Sequence, residues 1–427
     1  MNRNLSPFIF IFLFNTIAQN ALGQGESAAE TISMAPSDCG EMEVWDYGMA
    51  MCMPLPMPDM QMIMTMIHGN AFLAQTIEEG PRGRNAPVGP NMLMMDLGTS
   101  LGDRHYLNLD LMATAERWTF PTTGYPEPLQ IGEHDINGAP YIDAQHPHSS
   151  PIMGLTLSDT IALGHGKDHL KIFLAPRGAS TDGPVAFMHR PTGIMNPDAP
   201  LGHHIGQDVG HISSTVAGAS LHIGSLTIEG STFNGKEPQP TRVDLPLGSP
   251  DSYAARTIFQ FTPSLYAMAS AAFVKSPEVD DPTMDHLWRY SASIYANGVC
   301  PNGWTYHNAL IYGLINDYDH VSALTSFAEE FWLHHDAKNF WGRLEVLQRS
   351  PSQLALSSLS DLNQGRWVEA LTLGYTHEAA SWSGATLGIG ASITKTFVPS
   401  EFQVSYGTGP WSVKAFIQFS GMRMWQI

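Results

Sequence analysis

The sequence predicts an all-β protein that forms a single antiparallel transmembrane β-barrel of roughly 12–16 strands. Three observations support this prediction: alternating apolar and polar residues, the length of the alternating runs, and a low content of charge. Only 14% of the 427 residues are charged, whereas about a quarter is usual in soluble domains. A membrane barrel needs few charges because one face of each strand contacts lipid and the other lines a polar lumen.

The alternating runs have the period and the length of membrane-spanning strands. A period of two places one set of side chains on each face of a β-strand. Strands of soluble proteins commonly have about 5–6 residues, whereas a tilted strand that crosses a bilayer needs about 9–11. The clearest runs have nine or more residues and lie at 107–116, 288–297, 385–393 and 411–420. Aromatic residues near the ends of such runs are typical of interfacial girdles: Trp304, Tyr306, Phe331, Trp332, Trp367, Tyr375 and Trp411.

The first segment predicts export. Arg3 precedes an apolar run, and Ala21-Leu22-Gly23 places small residues at a cleavage position, so residues 1–23 are interpreted as a secretory signal peptide. Residues 24–65 are predicted to be a Met-rich flexible segment on the periplasmic side, ahead of the first strand. The cell outer membrane is therefore the expected location, with its lipid as a partner.

Residues 66–427 are predicted to form the barrel. Two segments, at about 119–167 and 177–211, are rich in Pro, Gly and His and show little alternation. We interpret them as long loops that lie at the surface or plug the lumen.

The charge of the chain excludes one class of partner and favours another. There are 21 basic and 40 acidic residues, so the net charge is -19. Nucleic-acid binding needs clustered Lys and Arg, and it is not expected here, whereas metal cations are plausible partners. No recognised catalytic motif occurs, so no enzymatic activity is predicted.

Methionines are concentrated near the N-terminus, where residues 34–66 contain ten of the 22 in the chain. Thioether sulfur is soft and prefers Cu(I), so copper is the predicted cofactor. The alternative interpretation is that the later methionines begin the first strand on its apolar face. In an extended chain, side chains at every second position project to the same side, so methionines with this spacing can present their thioethers together. The candidate ligands with this spacing are Met49, Met51, Met53, Met60, Met62, Met64 and Met66.

Histidines are concentrated in the two predicted loops. Imidazole combined with carboxylate suits Cu(II) or Zn(II). The predicted ligands in the first loop are His146, His148, His165 and His169, and the second loop holds His189, His203, His204 and His211. Cys39 and Cys52 either form a disulfide or act as thiolate ligands beside the methionines, and their spacing does not decide between these alternatives.

Several motifs resemble those of a known family. The stretch Asp143-Ala144-Gln145-His146-Pro147-His148, the segment 229–238 and Ser276-Pro277-Glu278 resemble a family of uncharacterised bacterial outer-membrane β-barrel proteins that often occur beside copper-resistance components. The resemblance spans about residues 66–420 and implies a barrel fold and an outer-membrane location. The chain departs from the usual barrel ending, whose final residue is aromatic, because it ends in Gln426-Ile427.

These observations predict an outer-membrane barrel that binds copper and contributes to metal tolerance or efflux, together with periplasmic copper-handling proteins. Two alternatives remain open at this point. One is a general porin-like channel with an acidic lumen, and the other is a secreted copper-binding β-sandwich.

Overall fold

The computed structural model describes residues 35–41, 43–56, 63–135, 137, 139–164, 166–245, 247–277, 285–316, 323–382 and 384–426. The predicted signal peptide and three predicted metal ligands, Met60, Met62 and His165, lie outside these residues. None of the helices in the described part of the chain is long and apolar enough to cross a membrane.

The described residues form mainly β-strands. In chain order the strands are β1 (Glu43–Asp46), β2 (Met51–Pro54), β3 (Ile63–Glu78), β4 (Ala86–Val88), β5 (Asn91–Leu101), β6 (His105–Ala113), β7 (Tyr125–His134), β8 (Pro140–Gln145), β9 (Ile152–Ala162), β10 (His169–Gly178), β11 (Ser213–Ile223), β12 (Leu226–Asn234), β13 (Ser252–Thr262), β14 (Leu265–Lys275), β15 (His286–Val299), β16 (Thr305–Asn316), β17 (Leu324–His335), β18 (Lys338–Arg349), β19 (Arg366–Trp382), β20 (Ala385–Phe397) and β21 (Trp411–Gln426). The helical segments have three to five residues: Pro36–Asp38, Glu116–Thr119, His203–Gln207, Val209–His211, Ser400–Phe402 and Gln403–Tyr406.

Sixteen long strands close into one antiparallel barrel, with β4 as a short addition beside β3. The last strand, β21, pairs with β3 from Ser412 opposite Glu78 to Gln426 opposite Met64. This closure confirms the predicted fold class, and the sixteen strands lie at the upper end of the predicted range of 12–16. The β-sandwich alternative is wrong, because a single sheet closes on itself.

The period of two separates an apolar outer face from the lumen. In β5, Leu93, Met95 and Leu97 project outward with 40–54% of their surface exposed. Their neighbours Met94 and Asp96 project inward and are 1% exposed. Leu, Ile, Val and Phe dominate the outward positions of the other strands in the same way, for example in β21.

Neighbouring strands of the barrel are antiparallel, so successive connections alternate between its two ends. The long loops lie at one end and the short turns at the other. The longest connections, residues 114–151 and 179–212, lie at one end, and turns such as 224–225 and 336–337 lie at the other. The first connection is shorter than the predicted loop of about 119–167, because β9 lies inside that range. Pro147, His148 and Pro151 before β9, and His165 after it, concealed its alternation in the sequence.

The described residues that precede the barrel, 35–41 and 43–56, fold into the lumen. Strands β1 and β2 pair into a hairpin, which we call the leader hairpin (residues 43–54). Trp45 and Tyr47 are buried against inward side chains of the wall, including Tyr266, and Asp46 forms an ion pair with Lys171 of β10. Preceding residues are tied to the hairpin by a disulfide between Cys39 and Cys52, whose Cα atoms are 5.3 Å apart. The thiolate-ligand alternative is therefore wrong.

Both long connections also enter the lumen. Strands β7 and β8 pair within the 114–151 loop, where the buried Leu129 belongs to an apolar cluster with Ile315 and Leu347 of the wall. The 179–212 loop is held by buried ion pairs. Its Arg190 lies 2.8 Å from Glu330 of β17, and Arg343 of β18 lies 3.0 Å from the same carboxylate.

We expect Glu330→Gln to destabilise the barrel by about 3–5 kcal/mol, because removal of one partner leaves buried charges uncompensated. Glu330 and Arg190 are 0% exposed, so water cannot replace the lost carboxylate. The free energy of unfolding in detergent micelles, from urea titration followed by tryptophan fluorescence, measures the effect. Glu369→Gln, at an exposed outward position of β19, is the control, and equal stability of the two variants would contradict the anchoring role.

Candidate metal centre in the lumen

Five histidines meet inside the barrel, and we call them the histidine cluster: His146, His148, His203, His204 and His211. The first two follow β8, and the other three lie in the short helical turns of the 179–212 loop. Their rings form a continuous chain of contacts, with centroids 4.6 Å apart for His203 and His204 and 5.5–5.8 Å apart for the other neighbouring pairs.

Two sets of ligand atoms converge within the histidine cluster. His146, His203 and His204 each offer a ring nitrogen, and these atoms lie within 4.8 Å of one another. His203 and His211 form a second set with a carboxylate oxygen of Asp208 under the same limit. Three imidazoles, or two imidazoles and a carboxylate, are ligand sets that Zn(II) and Cu(II) accept.

Three ring nitrogens in the cluster form no hydrogen bond with the described residues, although Nδ1 of His203 lies 3.8 Å from a carboxylate oxygen of Asp208. Nδ1 of His146, Nδ1 of His203 and Nε2 of His211 are buried without a hydrogen-bond partner. Buried polar atoms are usually hydrogen-bonded, and an unsatisfied group is compatible with a role in binding an ion. A cavity of about 40 Å³ lies beside these rings.

Burial keeps most of the cluster uncharged. It lowers the pKa of His146 to about 3, and the neighbouring His148 contributes to the same shift. It also lowers the pKa of His203 and His204 well below the usual value, with further contributions from adjacent imidazoles. A neutral imidazole has a free lone pair, which is the form that binds a metal.

His211 differs from the others. Burial opposes its protonation, but the carboxylate of Asp208 raises its pKa overall. Nδ1 of His211 lies 2.6 Å from the backbone oxygen of Asp208, which orients the ring. His148 is oriented in a similar way, with Nδ1 2.7 Å from Oε2 of Glu116. A hydrogen bond from one ring nitrogen to a carboxylate or a backbone carbonyl is typical of histidines that bind a metal through the other nitrogen.

Glycines at two positions allow the turn 203–207 to lie against the wall. Gly206 has a φ of 68°, in the left-handed region that glycine adopts readily. Gly313 of β16 faces this turn, and a Cβ there would lie 1.9 Å from the backbone oxygen of Ile205. The hydroxyl of Ser326 donates a 2.7 Å hydrogen bond to the same oxygen.

The structure brings together only part of the predicted histidine set. His146 and His148 lie in the cluster, but His169 lies on β10, where its ring stacks on His222 at 5.0 Å. Sequence reasoning did not select His203, His204 and His211 as their partners, although all lie in the second predicted loop. The chain offers no local signal for this pairing, because 55 or more residues separate the two groups along the sequence.

The described candidate methionines all lie in the lumen. Met64 and Met66 are 2% exposed and project inward from β3, so the alternative that places them on the apolar outer face is wrong. Met51 and Met53 belong to the leader hairpin, and Met49 lies in its turn. Met49 packs against further methionines of the wall and of the 179–212 loop, which sequence reasoning missed: Met92, Met94, Met112, Met153 and Met188.

No protein-family model and no curated protein sequence matches this chain. Among solved structures, OmpF of Salmonella typhi in complex with daunomycin is similar, with a TM-score of 0.53, 8% sequence identity, and coverage of 84% of this chain and 97% of that chain. The chain has a porin-like barrel fold. The likeness is one of fold, and it extends with lower scores to two further porin structures. These are the anion-selective porin from Comamonas acidovorans (TM-score 0.49, 11% identity, 84% and 100% coverage) and OprB of Pseudomonas putida (TM-score 0.48, 10% identity, 85% and 94% coverage).

We expect Gly313→Ala to displace the turn that carries His203 and His204, because the new methyl group overlaps backbone atoms. Overpacking of this kind costs about 1–3 kcal/mol. The reaction of these histidines with diethylpyrocarbonate, followed by mass spectrometry, should become faster. Gly230→Ala is the control, since its Cβ would lie 3.8 Å from the nearest atom, and equal labelling rates in both variants would contradict the close approach.

Proposed function

We propose that this protein is an outer-membrane β-barrel that forms a narrow channel with a preference for cations. The observation that carries the proposal is a closed barrel with an apolar outer face and an acidic chamber in its lumen. Closure satisfies the backbone hydrogen bonds of every strand, which is what a bilayer demands of a β-structure. The porin-like fold supports the same location.

The acidic chamber, which we call the central chamber, has a volume of about 140 Å³ and lies between the leader hairpin, the 179–212 loop and the wall. Inside it, Asp96 and Asp110 oppose each other directly on β5 and β6. Facing carboxylates repel one another and favour a cation between them. In total, six carboxylates and two basic groups line the chamber: Asp46, Asp96, Asp110, Asp182, Asp208 and Glu229, with Lys171 and Arg256.

The leader hairpin should limit conductance, because it occupies the lumen near the short turns. In planar bilayers, we expect the protein to form small cation-selective channels and a variant lacking residues 35–56 to show a several-fold larger conductance. A variant lacking the exposed residues 360–363 is the control and should conduct like the unmodified protein. Absence of discrete conductance from both the unmodified protein and the variant without the hairpin would overturn the channel proposal.

A second candidate function is copper binding in the lumen, with a role in metal tolerance. It is supported by the convergence of His146, His203 and His204, which brings three imidazole nitrogens within 4.8 Å of one another. Three neutral imidazoles are suitable ligands for Cu(II). The leader hairpin lies toward the short-turn end of the barrel, and periplasmic copper-handling proteins are the partners that we propose for that side.

Removal of two imidazoles should abolish this centre. We expect the double variant His203→Ala/His204→Ala to bind Cu(II) at least tenfold more weakly, equivalent to about 1.4 kcal/mol, in calorimetric titration of the detergent-purified protein. His286→Ala, at the start of β15, where the ring stacks on Phe273, should leave the affinity unchanged. Loss of affinity in both variants, or in neither, would exclude the histidine cluster as the site.

A further inference from the structure

Six methionines from five separate segments meet between the leader hairpin and the wall. We call them the methionine cluster: Met49, Met92, Met94, Met112, Met153 and Met188. Three neighbouring wall strands, β5, β6 and β9, supply four of them with 1–8% exposure, and Met49 and Met188 pack against these from the two inserts. All six side chains lie on the lumen side of the sheet.

A thioether patch is unusual on the inner face of a barrel, which is generally polar. Elsewhere on the inner face, polar residues such as Ser291, Ser293 and Thr372 are buried at inward positions, and the apolar clusters consist mainly of aliphatic and aromatic side chains. Methionine can fill an irregular gap in a core, but Leu or Ile would serve that purpose as well. The choice of methionine at six contacting positions therefore points to the sulfur atoms.

The methionine cluster borders open space on two sides. Met49, Met94 and Met112 line the central chamber. Met49, Met92 and Met188 line a second cavity of about 130 Å³, which we call the side chamber. An ion can therefore lie against the sulfur atoms without displacement of the wall.

Two imidazoles accompany the thioethers. His68 of β3 lines the side chamber. Its Nε2 is buried without a hydrogen-bond partner among the described residues. His189 of the 179–212 loop lines both chambers. Thioether and imidazole together form a donor set for a soft, monovalent ion.

We propose that the methionine cluster is a binding site for Cu(I), separate from the histidine cluster. Thioethers bind Cu(I) without losing a proton and in preference to harder divalent cations. The carboxylates of the central chamber lie next to the cluster and attract cations toward it. This inference goes beyond the proposed channel and requires neither conductance nor Cu(II) binding.

The test compares inward and outward methionines. Purified protein in detergent is titrated anaerobically with ascorbate-reduced copper against bicinchoninate. Replacement of Met by Leu nearly conserves volume, so Met94→Leu/Met112→Leu removes two sulfur atoms with little change in packing. We expect at least a tenfold loss of Cu(I) affinity. The matched control is Met95→Leu/Met424→Leu, whose side chains project outward with 40% and 47% exposure, and it should bind as the unmodified protein does.

A second measurement does not depend on the variants. X-ray absorption of the unmodified protein with one equivalent of Cu(I) should show mainly sulfur neighbours. Unchanged affinity in the inward double variant, or a shell of nitrogen and oxygen alone, would overturn the proposal. His203→Ala/His204→Ala should retain Cu(I) affinity, and parallel loss of Cu(I) and Cu(II) in that variant would also overturn it, because the two sites would then be one.

Discussion

Closure of a single sheet is the constraint on which the rest of this structure depends. Once β21 pairs with β3, the barrel sheet formed by the described residues has no free edge, and every second side chain of the wall must project into an enclosed space. The outward set becomes an apolar belt. The inward set must satisfy its polar and charged groups within the lumen, because many of them are buried and an unpaired buried polar group is costly.

The inserts provide many of those partners. Arg190 of the 179–212 loop shares Glu330 with Arg343 of the wall, and Asp46 of the leader hairpin neutralises Lys171. Burial of these charges is costly unless each is paired, so the ion pairs position the inserts more than they add stability. A loop held in this way presents its remaining side chains in a defined geometry, which is the requirement for a binding site.

Both proposed metal sites follow from this arrangement. The histidine cluster needs the 114–151 loop and the 179–212 loop in contact, and Gly313 permits the close approach of the second loop to the wall. The methionine cluster needs the wall, the leader hairpin and Met188 of the 179–212 loop. The two clusters have different donor atoms, and Met153 lines the small cavity beside the histidines, so hard and soft ligands lie next to each other in one lumen.

The sequence predicted strands correctly where the alternation of apolar and polar residues is clear. The prediction failed where neighbouring residues conceal that alternation. The alternation at 107–116 overlaps β6 (His105–Ala113), but β9 was assigned to a loop because Pro and His occur next to it. Trp332 was assigned to an interfacial girdle, yet it projects inward and donates to Asn339. A period of two shows that a strand has two different faces, but it does not show which face lines the lumen. An aromatic residue is compatible with either face.

Local periodicity was equally insufficient to predict which residues meet in the candidate site. The sequence by itself determined the barrel class, the acidic charge and the enrichment of Met and His in particular segments, because composition and short-range periodicity are properties of neighbouring residues. Only the tertiary structure decided that Met64 faces the lumen, that the leader hairpin lies inside the barrel, and that His146 meets His203 and His204 but not His169. Those contacts join segments far apart along the chain, and they exist only when closure of the sheet brings the segments into one enclosed volume.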